Sequence, residues 1–352
     1  MKRLEILALL VILYLCPRAS AENVILISDD IRATFAGKVE NYDSVNGLVW
    51  SYTLPAAYAA RTPRTGYLDN AVPRRVHIAI DRLNSSGAWT ELAINVSDGG
   101  NPIFTDRDSD DAPTFGRPDL ATSDILCSCV FNTSNQAFIQ WNRTTGARTY
   151  HHFDGPRRVW TFRRSTLRNS IVGFDSYSQN SIVEYVPASN TFNFLPAPGE
   201  GYFSVIQEFA CPLAASGYAW AITSNVAIDY LAAEVGTNPD TWADLGGGTA
   251  ASEVIDRSDG LYVLGDTTVF EIRRINKSNL TIDWHVSDGD PEPKVLDTTT
   301  GLVWFVNKHS DRLYLQALRR SNGSLYSEFD TNPFDGNHDA IQVIGVGPAL
   351  GQ

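Results

Sequence analysis

The sequence predicts an all-β protein, a seven-bladed β-propeller, on three observations. A strand–turn–strand unit returns along the chain, its turns are mostly spaced in the forties, and apolar residues alternate within its strands. A period in the forties with glycine or asparagine at the turn is the usual mark of propeller blades.

LYLQALRRSNGSLYSEFD (313–330) shows the unit most plainly: an alternating strand, a polar Asn-Gly turn, and a second strand with a late aromatic. AFIQWNRTTGARTYHHFDG (137–155), SIVEYVPASNTFNFLPAP (181–198) and VFEIRRINKSNLTIDWHVSDG (269–289) share its form. RVHIAIDRLNSSGAWTELAI (75–94) and VENYDSVNGLVWSYTLP (39–55) fit as well, and VAIDYLAAEVGTNPDTWADLG (226–246) fits more loosely. The expected tips are Gly47, Gly87, Gly146, Asn190, Asn238, Asn279 and Gly323, with steps of 40, 59, 44, 48, 41 and 44 residues. Glycine and asparagine suit these places because a tight hairpin needs positive φ.

Further strands precede the units. GLVWFV (301–306), ILCSCVF (125–131), GYAWAI (217–222), GLYVLG (260–265) and IVGFD (171–175) are apolar runs leading into the alternating strand, so three strands per repeat are visible with room for a fourth. Small sheets of this kind cannot hide both faces alone, and radial packing hides them while leaving only short edges. The terminal strand AIQVIGV (340–346) can complete a sheet with VILIS (24–28) and so close the ring. Six or eight blades are also compatible, because the 59-residue step has room for another unit; two stacked β-sandwiches are the rival architecture.

The chain starts with Lys2 and Arg3, an apolar run from Ile6 to Leu15, and Ala19-Ser20-Ala21. That order is the layout of a secretory leader, with cleavage expected after Ala21. Residues 22–352 are then expected to form one domain, with an acidic insertion at about 96–124. No later stretch is apolar for long enough to span a bilayer as a helix. Formal charge is −12 for the full chain and near −14 after cleavage, which repels phosphate backbones and argues against nucleic-acid partners. Seven sequons, at Asn84, Asn95, Asn132, Asn142, Asn276, Asn279 and Asn322, point to an extracellular N-glycoprotein, since chance supplies roughly two.

The segments TTG (144–146), NGLVW (46–50) and Asn279 to Trp284 resemble the quinoprotein-type (pyrroloquinoline-quinone-like) repeat, in which Thr-Gly is followed by a strand ending near Trp. The resemblance spans most of the chain after residue 21 and implies the propeller fold. Quinoprotein dehydrogenases of that family carry adjacent cysteines beside the cofactor, together with a calcium site. Here Cys127-Ser128-Cys129 stands instead, so quinone binding is not carried over.

Three cysteines follow the leader, Cys127, Cys129 and Cys211. Cys127 and Cys129 share the face of Trp304 when ILCSCVF is aligned with GLVWFV, so buried thiols are expected; a Cys129–Cys211 disulfide is the alternative. Within the acidic stretch, Asp106, Asp108, Asp110 and Asp111 place carboxylates at the spacing of the first half of a calcium loop. Asp111 replaces the turn glycine and Arg117 the closing glutamate, so a solvated loop competes with calcium. Asp288, Asp290 and Glu292 form a second acidic loop, read first as a turn between blades. Alternation sends His151 and His152 to opposite faces, against two ligands for one metal. His338-Asp339 lacks a nucleophile elbow, and neither a His-Glu-x-x-His motif nor a phosphate-binding loop is present.

The functional expectation is a secreted, non-catalytic binding module for an extracellular protein or glycan, with no cofactor required and calcium as an option. Two other readings stay open: an extracellular propeller enzyme, a calcium-assisted hydrolase or an oxidoreductase using the central channel, and a structural part of an extracellular matrix or coat.

Overall fold

The computed structural model describes residues 21–30, 37–55, 63–69, 72–81, 89–107, 119–120, 124–132, 135–142, 144–153, 159–175, 181–195, 205–211, 219–225, 228–235, 242–244, 250–266, 270–288, 295–309, 312–331 and 338–346. Every regular element among them is a β-strand.

The strands sort into seven antiparallel four-stranded sheets. Sheet 1 holds β1 (Asn23–Asp30), β2 (Lys38–Asp43) and β3 (Gly47–Thr53), with the last strand, β28 (His338–Gly345), beside β1. Sheet 2 holds β4 (Pro63–Leu68), β5 (Arg75–Asp81), β6 (Trp89–Asn95) and β7 (Ile103–Arg107). Sheet 3 holds β8 (Asp119–Leu120), β9 (Asp124–Asn132), β10 (Asn135–Asn142) and β11 (Arg148–His152). Sheet 4 holds β12 (Val159–Ser165), β13 (Ser170–Asp175), β14 (Ser181–Val186) and β15 (Thr191–Leu195). Sheet 5 holds β16 (Val205–Ala210), β17 (Ala219–Asn225), β18 (Ile228–Val235) and β19 (Trp242–Asp244). Sheet 6 holds β20 (Ala250–Arg257), β21 (Gly260–Asp266), β22 (Phe270–Ile275) and β23 (Ile282–Asp288). Sheet 7 holds β24 (Leu296–Thr298), β25 (Leu302–His309), β26 (Arg312–Arg319) and β27 (Leu325–Asp330).

In sheets 1, 6 and 7 the second strand carries an apolar run that is covered on both faces. In β1, Val24 and Leu26 pack with sheet 7, whereas Ile25 and Ile27 pack with sheet 2. In β25, Leu302, Trp304 and Val306 turn to sheet 1, and Val303 and Phe305 turn to sheet 6. β21 repeats the division, with Leu261 and Val263 toward sheet 5 and Tyr262 and Leu264 toward sheet 7. Period-two alternation therefore sorts side chains between two neighbours rather than between core and solvent. Each fully covered aliphatic side chain contributes about 1.5–3 kcal/mol.

The repeat's two marks, the tip glycine and the late aromatic, meet across sheets. Trp50 of β3 lies against Gly99 in the β6–β7 turn, and its Nε1–H donates to Val96 O at 2.8 Å. Trp284 of β23 lies against Gly323 in the β26–β27 turn and donates to Arg320 O at 2.9 Å. Phe329 of β27 covers Gly47 in the β2–β3 turn. An outer strand is thus fastened to the next sheet's hairpin. All three glycines have positive φ, 66°, 71° and 82° in that order.

Three expectations about the repeat need correction. Gly87 falls between β5 and β6, outside the described residues, and the hairpin equivalent to the others has Gly99 at its tip. The stretch read as an insertion (96–124) contains that turn, the outer strand β7 and the short strand β8, so the long 59-residue step came from matching unlike turns. At the sixth tip Leu280, not Asn279, takes positive φ (57°), while Asn279 Oδ1 accepts from Thr281 N. Asn238 lies outside the described residues.

Candidate functional site

Among the described residues, a concave feature lies between sheets 3 and 4. Tyr150, His151 and His152 of β11 face Asn190, Thr191, Phe192 and Phe194 from the β14–β15 turn and β15, around a cleft of about 440 Å³. That size is within the usual range for small-ligand sites. His151 and His152 fall on opposite faces of β11, as alternation implied; His151 is buried and His152 exposed, yet both rings border the cleft.

The wall is an aromatic stack on a hydrogen-bonded frame. Phe192 sits 4.9 Å from Phe153, 5.0 Å from Tyr185 and 6.3 Å from Phe194, measured between ring centroids. His151 packs on Tyr185 at 4.3 Å, and its Nε2 is 3.2 Å from Gln140 Oε1. Tyr150 and His152 are nearly parallel, 18° apart at 6.4 Å. Asn190, with φ of 52°, turns the chain into β15 and accepts a 3.0 Å bond from the Tyr185 hydroxyl. Burial, with the adjacent His152 charge, lowers the pKa of His151 and favours its neutral ring. Burial also raises the Tyr185 pKa, keeping the phenol protonated.

Behind the cleft, Glu184 of β14 anchors the frame, bonded by Arg168 Nε at 2.9 Å and by Asn193 Nδ2 at 3.0 Å. Burial pushes its pKa up, but these bonds, the Ser170 hydroxyl and the Arg168 charge outweigh it, so the net shift is downward. The arrangement presents flat apolar rings with amide, hydroxyl and imidazole groups beside them, which suits stacking against a ring-shaped polar ligand.

Two other polar clusters went unrecognised in the sequence. His77 of β5 stands between Asp69 Oδ2, 3.0 Å from Nε2, and Glu91 Oε1, 2.8 Å from Nδ1. Arg320 is buried and donates to Asp259, to the Tyr262 hydroxyl at 3.1 Å and to Thr299 O at 2.8 Å. Both are assembled from separate strands and turns, and alternation alone does not show them.

The expected site residues are dispersed. Asp106 lies in β7 and accepts a 2.8 Å bond from Thr90 Oγ1, while Asp108, Asp110 and Asp111 fall outside the described residues, as do Asp290 and Glu292. No group of three His, Cys, Asp or Glu side chains among the described residues is arranged to hold a metal ion. Cys127 and Cys129 lie in β9, and Cys211 follows β16 half-buried. His338 and Asp339 begin β28. Asn142, Asn279 and Asn322 are exposed in hairpin turns, Asn276 is half-buried and Asn95 is buried. Asn132 lies in β9, and Asn84 and the leader residues 1–20 are outside the described residues. No helix among the described residues is long and apolar enough to cross a membrane.

No family model matches the sequence, and no curated protein matches it. Solved structures do. A presumed 6-phosphogluconolactonase of Bacteroides fragilis superposes with a TM-score of 0.61 at 9% identity, over 94% of this chain and 99% of that one. Apo AztD from Citrobacter koseri gives 0.58 at 10% identity over 92% and 98%. The Cps50 (Swd1) β-propeller domain of Myceliophteria thermophila gives 0.54 at 11% identity over 78% and 89%. The fold is a β-propeller. At such identities the likeness is one of fold alone, and it does not single out the quinoprotein-type branch that the repeat resembles.

Proposed function

We propose that this protein is a secreted, N-glycosylated β-propeller of seven blades that binds an extracellular glycan, without catalysis, in the cleft between sheets 3 and 4. The observation carrying this reading is the pairing of aromatic faces (Tyr150, Phe192, Phe194) with the polar groups of Asn190, Thr191 and His152 on two outer strands and the β14–β15 turn. The secretory leader layout and the sequon set support export. Ring closure is supported by the pairing of β28 with β1, where Val24 faces Gly345 and Leu26 faces Val343. Contacts of β4 with β28, β8 with β4, β12 with β9, β20 with β16 and β28 with β24 support it further. Sheets 6 and 7 are joined by the 2.7 Å pair of Arg257 with Asp297.

The test is an immobilised-glycan screen with the secreted protein, followed by titration of any ligand against His152→Ala and Phe194→Ala. Loss of about tenfold in affinity, near 1.4 kcal/mol, is expected for each. Affinity unchanged by both substitutions, or cleft-independent capture of an extracellular protein with no glycan bound, refutes the reading.

A further inference from the structure

We propose that Asn142, Asn279 and Asn322 are glycan attachment sites at the hairpin end of the sheets, and that the sequon at Asn95 stays bare. The assignment rests on the export reading above. Asn95 and Asn142 share one sequence motif and one backbone role. Each is the last residue of its sheet's third strand, and its carbonyl accepts from the tip glycine, Gly99 N at 3.0 Å or Gly146 N at 2.8 Å.

Their surroundings differ. Beside Asn95, Val96 O is held by Trp50 Nε1 at 2.8 Å and Asn41 Nδ2 at 3.1 Å, which draws sheet 1 over the hairpin. Asn95 is left 5% exposed, without room for a sugar. Asn142 is exposed.

At the exposed sites the amide oxygen is spent inside the turn. Asn142 Oδ1 accepts from Thr144 N at 3.0 Å and Thr145 N at 2.9 Å. Asn279 Oδ1 accepts from Thr281 N and Oγ1, and Asn322 Oδ1 from Ser324 N and Oγ. The oxygen faces the turn, and the amide nitrogen, the atom that carries an N-linked glycan, is left toward solvent. Ile282 and Leu325, at 41% and 56% exposure, head the outer strands just past Asn279 and Asn322 and offer aliphatic surface beside the attachment points.

The experiment is site-by-site glycan occupancy in the full chain secreted from eukaryotic cells. Glycosidase release in heavy-oxygen water, followed by peptide mass spectrometry, marks each formerly occupied asparagine. Asn142, Asn279 and Asn322 are expected to be marked in most molecules and Asn95 in none. The triple variant Asn142→Gln, Asn279→Gln, Asn322→Gln should lose three glycan-sized mass steps. Marking at Asn95 in folded, secreted protein, or any one of the three exposed sites unmarked, overturns the assignment. A parallel arm with residues 1–21 replaced by a strong heterologous leader separates the two readings. Retention with the native leader but the expected marking with the substitute sinks native export and upholds the sites.

Discussion

Replacing Gly323 by alanine tests the fastening of outer strand to neighbouring hairpin. Gly323 has φ of 71°, and a Cβ placed there would lie 2.7 Å from Cε3 and 2.9 Å from Cδ2 of Trp284. A left-handed alanine costs about 1–2 kcal/mol. The indole cannot simply retreat, because its Nε1–H is bonded to Arg320 O at 2.9 Å, a bond contributing about 1 kcal/mol. With lost ring contact added, Gly323→Ala should cost about 3 kcal/mol. Gly47→Ala is the internal control: φ is 82°, but the added Cβ meets Phe329 at only 3.2 Å, so backbone strain dominates at about 1.5 kcal/mol. Gly323→Asn separates the terms, since asparagine tolerates the left-handed backbone yet still carries the Cβ. Denaturant midpoints with indole fluorescence report both the cost and the displaced Trp284. Equal costs for Gly323→Ala and Gly47→Ala, with unchanged fluorescence, would refute the contact's role.

Arg320→Met should destabilise by about 3 kcal/mol, because the buried guanidinium serves Asp259, Tyr262 and the Thr299 carbonyl together; Asp259→Asn, on a partly exposed carboxylate, should cost about 1 kcal/mol, both read by denaturant midpoint. Glu184 has a lowered pKa, so its stabilising share is present above its ordinary value of 4.5 and is lost as pH falls through the lowered one. Glu184→Gln should flatten the melting-temperature profile below pH 4.5, and a profile parallel to the parent contradicts this. The lowered pKa of His151 disfavours the charged ring in the fold, so its stability contribution is held above 6.5 and falls away on acidification below that value. His151→Gln should remove this dependence, measured by melting temperature between pH 7 and pH 5.

The sequence made the repeat legible where one residue carried the turn. Gly47, Gly146, Asn190 and Gly323 were placed correctly because positive φ restricts the choice of residue. It misled at the second sheet, where NSSG and SDGGN are equally good turn signals. What distinguishes them is Trp50, which touches Gly99 from another sheet, a long-range contact that no local pattern reports. The cleft was half visible. Alternation sends His151 and His152 to opposite faces, and the unit at 181–198 reads as strand, turn and strand, but the meeting of Phe192 and Phe194 with Tyr150 depends on how sheets 3 and 4 adjoin. Asn95 likewise read as one more sequon until sheet 1 was seen to cover it.

Sheet 1 takes a strand from the far end of the chain, β28 beside β1, and the proposed closure of the ring rests on that pairing. Amide hydrogen exchange of 338–345, read by mass spectrometry alongside 23–30 and 302–309, measures that strand directly. Protection of β28 on the same timescale as β1 and β25 is the expected result. Exchange of β28 within seconds, while β25 stays protected, would contradict a closed ring.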